Sequence, residues 1–194
     1  MRASPHAVSH RTPRLIQNAG YVLTEMLITV AIIAVVLATV ASVAMSESAS
    51  REGQNEARMI EQVADDLRLM LTRQDSFAGI DLQTTIDTNL WPESRVIGGN
   101  SVVNAWGANI TLQPAVGLDP AGRVIRMNIN GIPSGACASF ASYPFSYERM
   151  TVDGTIVYDS GQFGPATRPV DVAAAAAQCA DGADVVVFFH KDIF

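Results

Sequence analysis

Residues 26–45, MLITVAIIAVVLATVASVAM, contain no charge, glycine or proline. A helix rises about 1.5 Å per residue, so this run reaches roughly 30 Å, the thickness of a bilayer's hydrocarbon core. Ile, Val, Leu and Ala dominate it, and its few Thr and Ser hydroxyls can bond back to helix carbonyls and so enter lipid at low cost. A single carboxylate, Glu25, stands at its entrance with no cation nearby in sequence. Two competing readings are a buried core helix and a cleaved secretory signal, for which Ser42-Val43-Ala44 offers a small-x-small site. The run exceeds the roughly 7–15 residues of an ordinary signal core, and Glu25 is foreign to one. The segment is read as a membrane span.

Its flanks set its orientation. Residues 1–20 carry Arg2, Arg11 and Arg14 and no acid, whereas Glu47, Glu52 and Glu56 follow the span with only Arg51 among them. The positive-inside rule puts the N-terminus in the cytoplasm and the bulk of the chain outside. Two cysteines, Cys137 and Cys179, fit either a disulfide or two buried thiols, and this orientation exposes them to an oxidising compartment. The chain has 194 residues, 48% of them hydrophobic, enough for one compact domain and an extension. A net charge of −6 argues against a nucleic-acid binder, which would show a basic face.

A basic leader, then Gly20, then Tyr21, then an acid as the fifth residue after the glycine, then about twenty apolar residues: this combination resembles the class III signal of type IV prepilins. The twenty-residue leader and a Tyr rather than a Phe after the junction resemble the type IVb subclass, which includes pilins of the PilS type. The resemblance implies cleavage between Gly20 and Tyr21 on the cytoplasmic side by a membrane prepilin peptidase, which also methylates the new Tyr21 amine. Gly20 suits such a cleft because an extended backbone without a side chain approaches closely. The resemblance makes Glu25 an assembly residue whose partner is the positive Tyr21 amine of the same or a neighbouring subunit. Its further partners are the inner-membrane pilus assembly machinery and identical subunits in a helical filament. The localisation implied is the inner membrane first and an extracellular pilus afterwards. It also makes a Cys137–Cys179 disulfide the boundary of the C-terminal region, and closing a loop of about 43 residues would stabilise the fold by roughly 4 kcal/mol.

Beyond the span, Ala57, Ile60, Val63, Ala64, Leu67, Met70 and Leu71 recur at helical spacing, with Glu56, Arg58, Glu61, Asp65, Asp66 and Arg68 on the other faces. With no proline in residues 21–75, one helix is expected there, 21–45 in lipid or a filament core and 46–75 amphipathic. Gly53, near Ser46, Ser48 and Ser50, marks a soft point in it. Residues 76–106 read as a loop with one short helix near 81–89, stopped by Trp91-Pro92. Strands are expected at 108–113 and 124–130, with a helix from Ser134. YERMTVDGTIVYDS reads as a hairpin about Asp153-Gly154, and RPVDVAAAAAQCA as a helix with Pro169 at its start. DVVVFFHKD reads as an apolar strand. The sum is an α+β head, residues 76–194, on a long helical spine, which the resemblance also implies.

No catalytic constellation emerges. His6 and His10 lie in the leader, and His190 reads as a surface or edge-strand residue. GxSxG, HExxH, phosphate-loop and dinucleotide motifs are absent, and GPATRP and IGGN read as turns. Asp181, Asp184 and Asp192 have no calcium-loop register, and the cysteines have no zinc or redox spacing, so no metal or cofactor is expected. The expected function is a structural pilus subunit serving adhesion or conjugation. A minor pilin or a type II secretion pseudopilin is the alternative, and a membrane-anchored enzyme or binding protein a more distant one.

Overall fold

A computed structural model describes residues 17–72, 74–161, 170–180 and 182–192, and only the backbone of residues 17–22 and 42. The leader up to residue 16, the GPATRP turn with Pro169, and Asp181 lie outside the described residues. The chain forms two compact units, one ending at Met45 and the other starting at Ser46. One helix, α1 (Gln17–Met70), runs through both.

The first unit is a stretch of α1. From Leu23 to Met45 its large apolar side chains are exposed on all sides, with 52% to 72% of their surface accessible. Thr29 donates to the Glu25 carbonyl at 2.8 Å and Thr39 to the Val36 carbonyl at 2.8 Å, so these hydroxyls are satisfied within the helix. Among the described residues this is the one helix long and apolar enough to cross a membrane, judged by length and composition.

In the second unit α1 changes character. Ala57, Ile60, Val63, Ala64 and Leu67 are buried, as their spacing predicts, and Leu71 is buried just beyond the helix end. Met70, expected on this face, is 37% exposed. The helix ends there rather than near residue 75, because the chain tightens into a turn in which the Thr72 amide donates to the Leu69 carbonyl at 3.3 Å. Glu56, assigned to a polar face, is buried. It lies four residues before Ile60 and seven before Val63, so geometry puts it on the apolar face. Gly53 does not interrupt α1.

The head carries one seven-stranded sheet, antiparallel at every pairing: β1 (Val96–Ile97), β2 (Ser101–Val103), β3 (Asn109–Pro114), β4 (Val124–Ile132), β5 (Arg149–Val152), β6 (Thr155–Asp159) and β7 (Ala183–His190). Their order is β1-β2-β3-β4-β7-β5-β6. The registers align Leu112, Met127, Val187 and Met150 in one row, and Ile110, Ile129, Val185 and Val152 in another, all buried. Strand alternation puts both rows on the face that shares a core with Ile60, Leu67 and Phe140. The last strand, β7, is thus central. It alone joins the β1–β4 meander to the β5–β6 hairpin.

Among the described residues the head also holds three short α-helices, α2 (Leu82–Asp87), α3 (Ser134–Ala141) and α4 (Val172–Gln178), and a 3-10 turn over Glu93–Arg95. Asp81 caps α2 by accepting from the Thr84 amide at 2.8 Å, and Asp171 caps α4 by accepting from the Ala174 amide at 2.8 Å. α2 ends at Asp87, and Asn89 just beyond its Thr88 cap takes a φ of 55°, so the chain turns before Trp91-Pro92 is reached. The region expected to be a loop over 76–106 also contains the β1–β2 hairpin, turned by Gly98 and Gly99 at φ values of 61° and 74°. His190 is buried rather than at an edge, because β7 is flanked on both sides.

Candidate assembly determinants

The bond expected to be processed, Gly20–Tyr21, lies among the first described residues of α1. Glu25 follows one turn after Tyr21, a rise of about 6 Å. Its carboxylate shares a shallow hollow with Met26, Thr29 and Val30, and no cation pairs with it among the described residues.

In the head, α1 meets α3 through small residues. A methyl group on Gly53 would come within 2.3 Å of the Ala136 carbonyl oxygen, and one on Gly135 within 3.1 Å of the Ala49 side chain. The two backbones approach because neither glycine has a side chain, and the Ser50 and Ser139 hydroxyls share a hydrogen bond at 2.7 Å. Gly53 is therefore a packing residue, not a hinge: its helical conformation is ordinary, and what it supplies is room.

Cys137, on the buried face of α3, forms a disulfide with Cys179 at the C-terminal cap of α4, with a Cα separation of 5.6 Å. The bridge closes a loop that contains β5 and β6. It ties the helix touching Gly53 to the segment that leads into β7.

Polar side chains along α1 hold the connecting loops. Glu52 accepts from the Trp106 indole at 3.2 Å. Glu56 accepts from Arg95 at 2.7 Å. Burial pushes the Glu56 carboxyl above its usual range, against the opposing pull of Arg95 and the Ala105 amide, and nearby Glu52 adds to the rise. Glu61 accepts from the Ser146 amide at 2.9 Å. Arg68 donates to the His190 carbonyl at 3.1 Å, lies over the Phe189 ring at 5.5 Å and pairs with Asp65 at 2.6 Å. These four side chains fix which face of α1 meets the head. Sequence reasoning missed Glu56 and Gly53. Their spacing to Ile60 and Val63, counted without excluding polar residues, was the available signal.

Among the described residues no group of His, Cys, Asp and Glu is arranged to hold a metal ion. Asp184 accepts from the Gly131 amide at 3.0 Å across a β4 irregularity, and the Asp192 amide donates to His190 Nδ1 at 3.0 Å.

Residues 49–191 match the family described as PilS N terminal. A solved structure, the type IV b pilin from Salmonella typhi, superposes with a TM-score of 0.52 at 14% identity, covering 70% of this chain and 97% of that one. The likeness is one of fold, an N-terminal helix packed on an antiparallel sheet. Among curated proteins no match is found.

Proposed function

The chain belongs to the PilS family of type IV pilins, and from that premise we propose that it is the structural subunit of a type IVb pilus. It enters the inner membrane as a prepilin through residues 21–45, with its N-terminus in the cytoplasm. The prepilin peptidase cuts after Gly20 and methylates Tyr21. The assembly machinery then moves the subunit out of lipid into a helical surface filament that serves adhesion or conjugation.

The observation that carries this reading is the exposed apolar stretch of α1 from Leu23 to Met45. A helix apolar on every face has to be covered by lipid or by other apolar helices, and a filament core supplies the second after the membrane supplies the first. Glu25 then gains a reason. Cleavage creates a positive amine one turn away, and a buried carboxylate is tolerable when it is paired. A subunit docked at the wrong height leaves that charge unpaired in an apolar core, so the residue sets register.

N-terminal sequencing of protein sheared from the cell surface tests the proposal. The expected first residue is methylated Tyr21. Gly20→Glu should leave an uncleaved precursor, heavier by about 2 kDa for its twenty-residue leader, in the membrane, and normal processing of that variant would defeat the prepilin reading. Glu25→Ala should still insert and be cleaved, but shed few filaments.

A further inference from the structure

The second unit carries a feature that the fold does not use. Met59, Gln62, Val63, Asp65 and Asp66 of α1 line a hollow with Leu90 and Pro92 of the following loop. Its floor is apolar and its rim acidic. Asp65 pairs with Arg68, but Asp66 has no ion pair among the described residues. That chemistry fits a long basic side chain, with an apolar stem for the floor and a cationic head for the rim. Among the described residues Arg58 is the exposed arginine without a partner: Arg51 pairs with Glu47, Arg68 with Asp65, Arg95 with Glu56, Arg123 with Asp119 and Arg149 with Asp159, while Arg126 also has an interaction.

We propose that Arg58 of one copy docks into the Asp66 hollow of the next. The proposal rests on the filament reading above and names a contact within that filament. Arg58 and Asp66 are eight residues apart on α1, so they are offset by about 12 Å along the helix and by about 80° around it. Plug and socket therefore lie on different sides of one element. A copy that fills its neighbour's hollow leaves its own open for another. Such a contact is heterologous and does not close on itself in pairs, and its combined shift and rotation generate an open helical array. The opposite charges also disfavour slipped arrangements that would set Arg58 of one copy against Arg58 of another.

The test is made on the full-length chain in cells that assemble it, by weighing filaments sheared from the surface while following processing of the precursor. Arg58→Glu and Asp66→Arg are each expected to reduce sheared filaments about tenfold or more, with processing unchanged, because each sets like charges together. The combined Arg58→Glu, Asp66→Arg exchange is expected to restore assembly. Single variants that shed normal amounts overturn the contact, as does an exchange variant as poor as either single. A parent chain that is processed but sheds no filament overturns the filament reading and the contact with it. As a second readout, the paired Arg58→Cys, Asp66→Cys chain should yield covalent multimers from its filaments when treated with a bis-maleimide cross-linker, whose span replaces the length of the arginine side chain. Monomers alone would count against the contact.

Discussion

The two halves of α1 use the same apolar vocabulary under different rules. From Leu23 to Met45 apolar residues occupy every face and remain exposed. Beyond Ser46 they recur at three- and four-residue intervals, and that stripe is buried in the head. The first half has no preferred direction and accepts any apolar surroundings, lipid or other helices. The second has one permitted face, fixed by Gly53 and Glu56 as much as by Ile60 and Leu67. One helix carries both rules, an all-round apolar surface before Ser46 and a single buried stripe after it.

The contrast predicts that head stability is insensitive to the first half and sharply sensitive to what the second half touches. The largest effect should come from the disulfide. Cys137→Ser with Cys179→Ser should destabilise the head by about 4 kcal/mol on chain-entropy grounds, read as a fall in the denaturant midpoint of the detergent-solubilised full chain. Its insertion through residues 21–45 should be unaffected. A midpoint within error of the parent would mean that α3 holds its place on α1 without the bridge.

Next in size is a matched pair. Leu67→Ala removes a fully buried side chain and should cost about 3 kcal/mol. Leu37→Ala removes one that is 63% exposed and should shift the head by less than about 0.5 kcal/mol. Fluorescence of Trp91, buried in the head, reports both. Equal losses at the two positions would erase the distinction between the halves.

Much of this was legible in the sequence, and what was not has identifiable causes. The span, the amphipathic stripe and the strands near 108–113, 124–130 and 184–192 announce themselves through period and composition. The β1–β2 hairpin does not, because strands of two and three residues around Gly98-Gly99 are too short to show alternation. The position of β7 is illegible for another reason. Its run VVVFF says that both faces are covered, but nothing local says which strands flank it, so His190 was read as an edge residue. Gly53 was misread because a glycine's backbone freedom is visible in sequence, while the closeness of Ala136 is a tertiary fact. Glu56 is illegible because its charge argues for a polar face while its spacing to Ile60 and Val63 puts it on the buried one.

Gly53→Ala tests the packing reading through its sign. In an exposed helix interior this exchange stabilises by about 1 kcal/mol. Here the new methyl meets the Ala136 carbonyl, and backbone cannot swing aside as a side chain can, so a net loss of about 2 kcal/mol is expected. Thermal unfolding of the two chains decides. A higher midpoint for the alanine chain would return Gly53 to the role of a soft point.

The smallest effect is the most specific to the second half. Burial raises the Glu56 carboxyl, and this outweighs the pull of Arg95. The folded state therefore holds this proton more tightly than the unfolded one. The stability this contributes is fully present below the ordinary carboxylate range and is lost as pH rises through the raised value. Denaturant midpoints of the parent and of Glu56→Gln, measured across mildly acidic to neutral pH, should diverge in one direction: the parent falls relative to the glutamine chain as pH rises. Parallel profiles would mean that Arg95 compensates the buried charge in full. The face of α1 would then be chosen by Gly53 and the apolar stripe, with the carboxylate merely accommodated.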